Sequence, residues 1–327
     1  MVASWVAPVP IASHRSGSSY ILLRKAPCQR RAILAKKWFG VYAVVCTPFA
    51  ENEELDERTL RRHIRFLLDA GVHGIIPTGS TSEFASLSEA ERKTVVDITI
   101  DEVKGRVPVV AGTAAVSTRD TIMYSQYAEK AGADGVMIVP PYYCHPTERV
   151  VYQHYRAVAE NIHLPIMLYN NPWTSGVDMQ PALVARLSEI ENVAYVKESS
   201  GDMRRVSEIM RLCGDRITVF CGTDNLALEM LAVGVQGWVA APANAIPKQC
   251  VQLFELAAVK KDLEKARELY FKMLPYFTAL ESGQFVQYVK ASLEILGKPI
   301  GAPRKPLLRP AEEDYRKLEE LLSALPG

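Results

Sequence analysis

From residue 41 onward, short runs of β-branched and apolar residues alternate with longer stretches whose apolar positions recur every three to four residues. The short runs fall at 41–47, 73–77, 107–112, 134–139, 165–169, 193–197, 217–221 and 236–240. Each is apolar almost throughout rather than at alternate positions, the pattern of parallel strands covered on both faces. The longer stretches predict helices over 60–70, 88–103, 120–131, 148–161, 181–190, 203–213, 226–233 and 248–259. Ile64, Leu67 and Leu68 form the apolar stripe of the first. Ser88 opens the second, with Glu89 and Glu91 in its first turn, where acids suit the helix dipole.

Eight strands, each followed by a helix, predict an α/β fold of the (β/α)8 or TIM-barrel type. An open doubly wound sheet usually carries a glycine-rich phosphate loop after its first strand. Here that position reads Cys46-Thr47-Pro48-Phe49, so the barrel is favoured. Beyond residue 259 the alternation stops, and 262–280, 284–296 and 311–325 read as helices, with a turn-rich break at 297–306. The predicted organisation is an N-terminal arm at 1–36, a barrel at 37–260 and a C-terminal helical region at 261–327.

The chain has 327 residues, 48% hydrophobic and 23% charged, enough for a large core and unlike a disordered composition. Its formal net charge of +1 gives no reason to expect nucleic acid or an anionic membrane as a partner. The first acid is Glu51, whereas residues 1–37 hold seven of the 38 basic residues. Three readings of 1–36 stay open: a mitochondrial or plastid transit peptide, a bacterial start placed too far upstream, or a disordered arm. The bacterial reading puts the protein in the cytoplasm. The apolar run at 20–23 is too short for a signal-peptide core, and no window approaches the ~18 apolar residues of a membrane span. Six cysteines, Cys28, Cys46, Cys144, Cys213, Cys221 and Cys250, form no CxxC pair. With dispersed histidines they suggest reduced thiols in core strands, and neither a metal site nor a disulfide framework.

Barrel chemistry sits at the C-terminal ends of the strands. Those ends carry Gly79-Ser80-Thr81-Ser82-Glu83, Pro141-Tyr142-Tyr143, Tyr169-Asn170-Asn171-Pro172, Lys197-Glu198-Ser199-Ser200-Gly201 and Gly222-Thr223-Asp224. Lys197 closes the apolar run Val193-Ala194-Tyr195-Val196. A lysine in a dry site is uncommon, and burial favours the neutral amine that adds to carbonyls. The bland alternative is an ion pair with a carboxylate such as Glu198. Tyr169, on the adjacent strand, could relay protons or be a satisfied core aromatic. Ser80 and Thr81 offer hydroxyls and amides to a carboxylate, or simply make a tight turn. Glu83 would fix that loop or accept from nearby amides. Tyr142 and Tyr143 could equally be exposed interface aromatics, and His145 and His154 are given no role.

These motifs, in this order, resemble the dihydrodipicolinate synthase / N-acetylneuraminate lyase family of class I, pyruvate-handling aldolases. The resemblance runs from about Trp38 to Leu325 and includes Val45-Cys46-Thr47-Pro48-Phe49 and Lys197-Glu198-x-x-Gly201-Asp202. It implies that Lys197 forms a Schiff base, with no other cofactor, and that Tyr169 is the general acid/base. Ser80 would join the proton relay, Thr81 would bind the substrate carboxylate, and Gly222 and Val239 would shape the pocket. Tyr143 would complete a neighbouring subunit's site, which implies a homo-oligomer, commonly a dimer of dimers. Members that condense pyruvate with aspartate semialdehyde carry an arginine two residues after the proline. Here that residue is Thr174, preceded by Trp173, which is expected to add an apolar wall.

The expected function is therefore reversible cleavage or condensation of a 2-oxo acid through a lysine imine. Dehydration or deamination through the same imine is an alternative. The 4-hydroxy-tetrahydrodipicolinate synthase reaction is disfavoured by Thr174. A non-catalytic binding barrel is disfavoured because Lys197 and Tyr169 are both present.

Overall fold

A computed structural model describes residues 37–326, so the reading of 1–36 as an arm lies outside the described residues. The eight strands are β1 Gly40–Val44, β2 Gly74–Ile76, β3 Val110–Gly112, β4 Gly135–Ile138, β5 Ile166–Asn170, β6 Val193–Glu198, β7 Thr218–Cys221 and β8 Gly237–Ala240. All pair in parallel, in the order β2-β1-β8-β7-β6-β5-β4-β3. The two ends of that order meet through a parallel bridge between Ile75 and Val109, so the sheet is a nearly closed (β/α)8 barrel. Every strand residue is buried, which explains why the runs did not alternate.

The helices lie where the 3.6-residue period predicts, with caps adjusting their ends. Helix Glu57–Asp69 begins before residue 60 because the Asp56 carboxylate caps it by accepting from Thr59 N. Ser88 and Glu91 form a reciprocal capping box on helix Glu89–Val103. Three more helices, Leu263–Leu280, Phe285–Ile295 and Glu312–Ser323, follow the barrel. None of the described helices is long and apolar enough to cross a membrane. The expectation of cysteines in core strands needs correction. Cys221 lies on β7, but Cys213 and Cys250 are buried on helices and Cys144 is exposed.

What fills the barrel decides where a ligand can go. Side chains on a strand point alternately in and out, and at the N-terminal end the inward ones are aromatic. Trp38 stacks on Tyr195 at 4.1 Å between ring centroids, and Tyr42 meets the edge of Phe220 at 5.3 Å. Gly74 lies beside Tyr42 in register, and a Cβ there would fall 2.2 Å from the Tyr42 ring. Only glycine admits the plug. The same inward faces, one step along β6 and β7, carry Lys197 after Tyr195 and Gly222 after Phe220. Within the barrel, room for a ligand is therefore left at the C-terminal end.

Candidate active site

Lys197 is the fifth residue of β6 and Tyr169 the fourth of β5, and the two are direct register partners. Both are buried, and the Lys197 Nζ sits 4.0 Å from the Tyr169 ring centroid. Lys197 makes no ion pair with a carboxylate among the described residues. Its neighbour Glu198 faces the other way, as strand alternation requires. The Glu198 carboxylate accepts from Asn170 Nδ2 at 3.1 and 3.2 Å and from Ser200 N at 2.7 Å. Arg205 Nε lies 3.9 Å from its Oε2. Burial raises the Glu198 carboxyl, against the pull of these donors. The Lys197–Glu198 ion pair considered from the sequence does not form.

Burial acts to raise the Tyr169 phenol, yet its net shift is downward. Lys197, the Asn171 amide and the Ser80 hydroxyl together outweigh burial by favouring the phenolate. Asn171 Nδ2 donates to the Tyr169 oxygen at 2.9 Å. Its Oδ1 meanwhile accepts from Thr174 N at 3.2 Å and caps the short helix Pro172–Ser175. Neither that helix nor the part played by Asn171 was anticipated. Asn171 stood in the quoted motif, and an Asn before Pro is a recognisable helix start.

A cavity of about 450 Å³ opens above these groups. Ser80, Tyr169, Asn171 and Thr174 supply polar lining, while Phe84, Val139, Val286, Pro306 and Leu307 supply much of the apolar wall. Among the described residues, none of those lining it is basic. Of the predicted site residues, Ser80, Tyr169 and Thr174 reach this cavity. Lys197 lies beside Tyr169 at its base. Gly222 is placed against Lys197, where a Cβ would lie 2.7 Å from Lys197 Cγ and 2.8 Å from Cε. Val239 is buried on β8. Thr81 is buried in the loop after β2 and is not part of the lining. Tyr142 lines the cavity, whereas Tyr143 is 82% exposed and does not reach it within this chain. Trp173 is 84% exposed, with its indole Nε1 donating to Ser200 O at 3.2 Å. It is not the apolar wall expected from the sequence, because the Asn171-capped turn carries its ring outward.

The loop after β2 is pinned from several sides. Ser82 Oγ donates to Val45 O at 2.6 Å and accepts from Gly79 N at 3.1 Å. Glu83 adopts a left-handed backbone, φ 57°, and its Oε1 lies 2.6 Å from Lys290 Nζ in a buried ion pair. Burial lowers the Lys290 ammonium while Glu83 opposes that shift. Lys290 is a second buried lysine that the sequence reading missed. A lysine flanked by Val289 and Ala291 in a mainly apolar helix was its only signal.

The model of the dihydrodipicolinate synthetase family matches residues 37–325. The chain belongs to that family. A 4-hydroxy-tetrahydrodipicolinate synthase of Syntrophus aciditrophicus is 40% identical over 283 residues, 86% of this chain and 97% of that protein. The crystal structure of a dihydrodipicolinate synthetase so assigned from Pseudomonas aeruginosa superposes with a TM-score of 0.86 at 41% identity, covering 88% of this chain and 99% of that one. A chloride-inhibited dihydrodipicolinate synthase of Acinetobacter baumannii, solved with pyruvate, matches at 31% identity and a TM-score of 0.83, covering 88% and 98%. This member of the dihydrodipicolinate synthetase family is a class I aldolase-type lyase, with pyruvate Schiff-base chemistry. Enzymes of the family use a lysine imine and no metal or external cofactor.

Proposed function

We propose that Lys197 is the lysine that forms the imine, and that the enzyme reversibly cleaves or condenses a 2-oxo acid at the base of the cavity. The observation that carries this reading is the pairing of Lys197 with Tyr169, buried together while Glu198 is bonded elsewhere. The amine adds to the ketone, and loss of water gives the imine. Tyr169, with its hydroxyl held by Asn171 and reached by Ser80, moves protons to and from the carbinolamine and enamine. Thr81 and the amides of its loop receive the substrate carboxylate. Gly222 leaves room for the lysine stem, and Val239 closes the pocket on the β8 side.

Thr174 faces the second substrate. A neutral hydroxyl, with no basic residue among the described lining, favours a partner without a second carboxylate. The likeness to enzymes named 4-hydroxy-tetrahydrodipicolinate synthase keeps aspartate semialdehyde as the second reading. Dehydration or deamination of a 2-oxo-acid-type substrate would use the same imine. We further infer a cytoplasmic enzyme that works as a homo-oligomer, a dimer of dimers, with Tyr143 entering a neighbour's site.

The test is borohydride reduction in the presence of pyruvate, followed by peptide mass analysis. The peptide containing Lys197 should gain the mass of the reduced ligand, and Lys197→Ala should abolish both the label and turnover. A label on another lysine, or full turnover in Lys197→Ala, defeats the assignment.

A further inference from the structure

We infer that Lys290 and Glu83 are positioning residues for the 2-oxo acid, a buried clasp through which helix Phe285–Ile295 sets the loop that receives the substrate carboxylate. This rests on the reading of Lys197 and the Ser80–Thr81 loop given above.

The loop from Gly79 to Phe84 is one tight turn. Glu83 N donates to Ser80 O at 2.9 Å, and Ser82 N donates to Gly79 O at 3.1 Å. Glu83 ends this turn with φ 57° and ψ 37°, a left-handed conformation that is uncommon for an L-residue with a long side chain. Were Glu83 to relax to ordinary backbone, Ser80 would be displaced from Tyr169, since the two residues share a hydrogen bond of the same turn.

The groups that hold its carboxylate come from outside the barrel. One oxygen of Glu83 meets Lys290 Nζ at 2.6 Å, and the other accepts from Arg304 N at 2.8 Å. Lys290 also donates to Ala302 O at 3.0 Å, and its Nζ stands 4.4 Å from the Phe49 ring centroid. The two side chains of the pair are 2% and 1% exposed. Val286, one helical turn before Lys290, lines the same cavity as Glu83 and Ser80. One helix thus supplies a wall of the cavity and the anchor of the loop opposite. A buried ion pair is poor evidence for stability as such, since well-packed apolar residues often serve as well or better. It does impose a direction and a distance, and here both are imposed on the turn carrying Ser80 and Thr81.

The experiment compares Lys290→Met, Lys290→Arg and the double variant Lys290→Met/Glu83→Gln with the native chain. Three quantities are read: the pyruvate concentration giving half-maximal borohydride labelling, the separate kcat and KM, and the melting temperature. Breaking one partner strands a buried charge, whereas the double variant removes both and should fold the better. Lys290→Met is expected to raise the half-labelling concentration and KM by about ten- to a hundredfold, with a smaller change in kcat. Lys290→Arg should recover part of that loss. The double variant should regain melting temperature but keep the raised KM, because the anchor is still absent.

A folded Lys290→Met or double variant that half-labels within about twofold of the native concentration overturns the proposal, whatever its melting temperature. If neither variant folds, the pair serves the fold rather than the site, and the proposal falls as well. Labelling of Lys197 at saturating pyruvate should persist in every folded variant. Its failure in the native chain would count against the imine assignment itself, and so is distinguishable from failure of the clasp.

Discussion

Thr174 and its surroundings carry the sharpest consequence at the scale of single residues. A second substrate with its own carboxylate must bury that charge, which calls for a basic partner or several strong donors. The cavity offers only neutral donors, from Thr174, Asn171, three serines and the phenols of Tyr142 and Tyr169, with the acidic Glu83 and no basic residue among the described lining. Losing one charge-assisted hydrogen bond typically costs ~1.5–3 kcal/mol, roughly ten- to a hundredfold in kcat/KM. The native enzyme should therefore condense pyruvate with aspartate semialdehyde poorly. Thr174→Arg should improve that reaction by about tenfold, because Trp173 is turned out to solvent and leaves space for a guanidinium. A native kcat/KM in the ordinary enzymatic range of ~10⁴–10⁸ M⁻¹s⁻¹ with the semialdehyde would refute the idea. Lys197, Tyr169 and Ser80 could be picked out in the sequence because each closes or follows a strand, and strand ends share one rim. The Lys197–Glu198 pair weighed from the sequence fails on the same alternation, since consecutive strand residues face opposite sides. Lys290 could not be found that way. Its partner Glu83 lies on the far side of the whole barrel sequence, and no local period links them.

Among the elements, the segment between helices Phe285–Ile295 and Glu312–Ser323 does more than connect them. Arg304 from this segment grips Glu91 of helix Glu89–Val103 through two contacts, at 2.7 and 3.0 Å, and donates to Ser86 O at 2.7 Å. The Arg304 contact, with the Ser88 cap, holds the Glu91 carboxyl at about 2 against an ordinary 4.5. A depressed folded value means that the stabilisation is present in full above pH 4.5 and is lost as the pH falls from 4.5 toward 2. With solvent screening of a partly exposed pair allowed for, it amounts to about 1 kcal/mol, or roughly 2–4 °C in melting temperature. Arg304→Met should melt lower than the native chain at pH 7, and the gap should close as both are titrated toward pH 2. A gap that stays constant across that range would assign the loss to the Ser86 bond and to packing on Phe49, whose ring lies 4.1 Å from the guanidinium carbon. The helix Glu89–Val103 was legible because Ser88, Glu89 and Glu91 spell a capped start. Helix Pro172–Ser175 was not, because four residues held by an Asn171 cap present no apolar period.

For the whole molecule, the two neighbouring tyrosines Tyr142 and Tyr143 divide their work in opposite directions. Tyr142 lines the chain's own cavity, and burial raises its phenol. Tyr143 points away from it, and with Trp173 it is among the large side chains left most open by a single chain. If Tyr143 completes a neighbour's relay, an active site is built from two chains, and inactive variants should complement each other. In a closed two-fold pair each chain's Lys197 would be served by the partner's Tyr143. Mixing Lys197→Ala with Tyr143→Phe subunits then creates hybrids in which one site has both groups and the other has neither. Random pairing makes about half the dimers hybrid, and half of their sites complete, so the mixture should reach about a quarter of native turnover. Sedimentation of the same samples should show a dimer or a larger species at micromolar concentration. Were Tyr143 to act within its own chain, every hybrid site would lack one group or the other, and mixing would restore nothing. Full native turnover from a monomer would exclude the shared site outright.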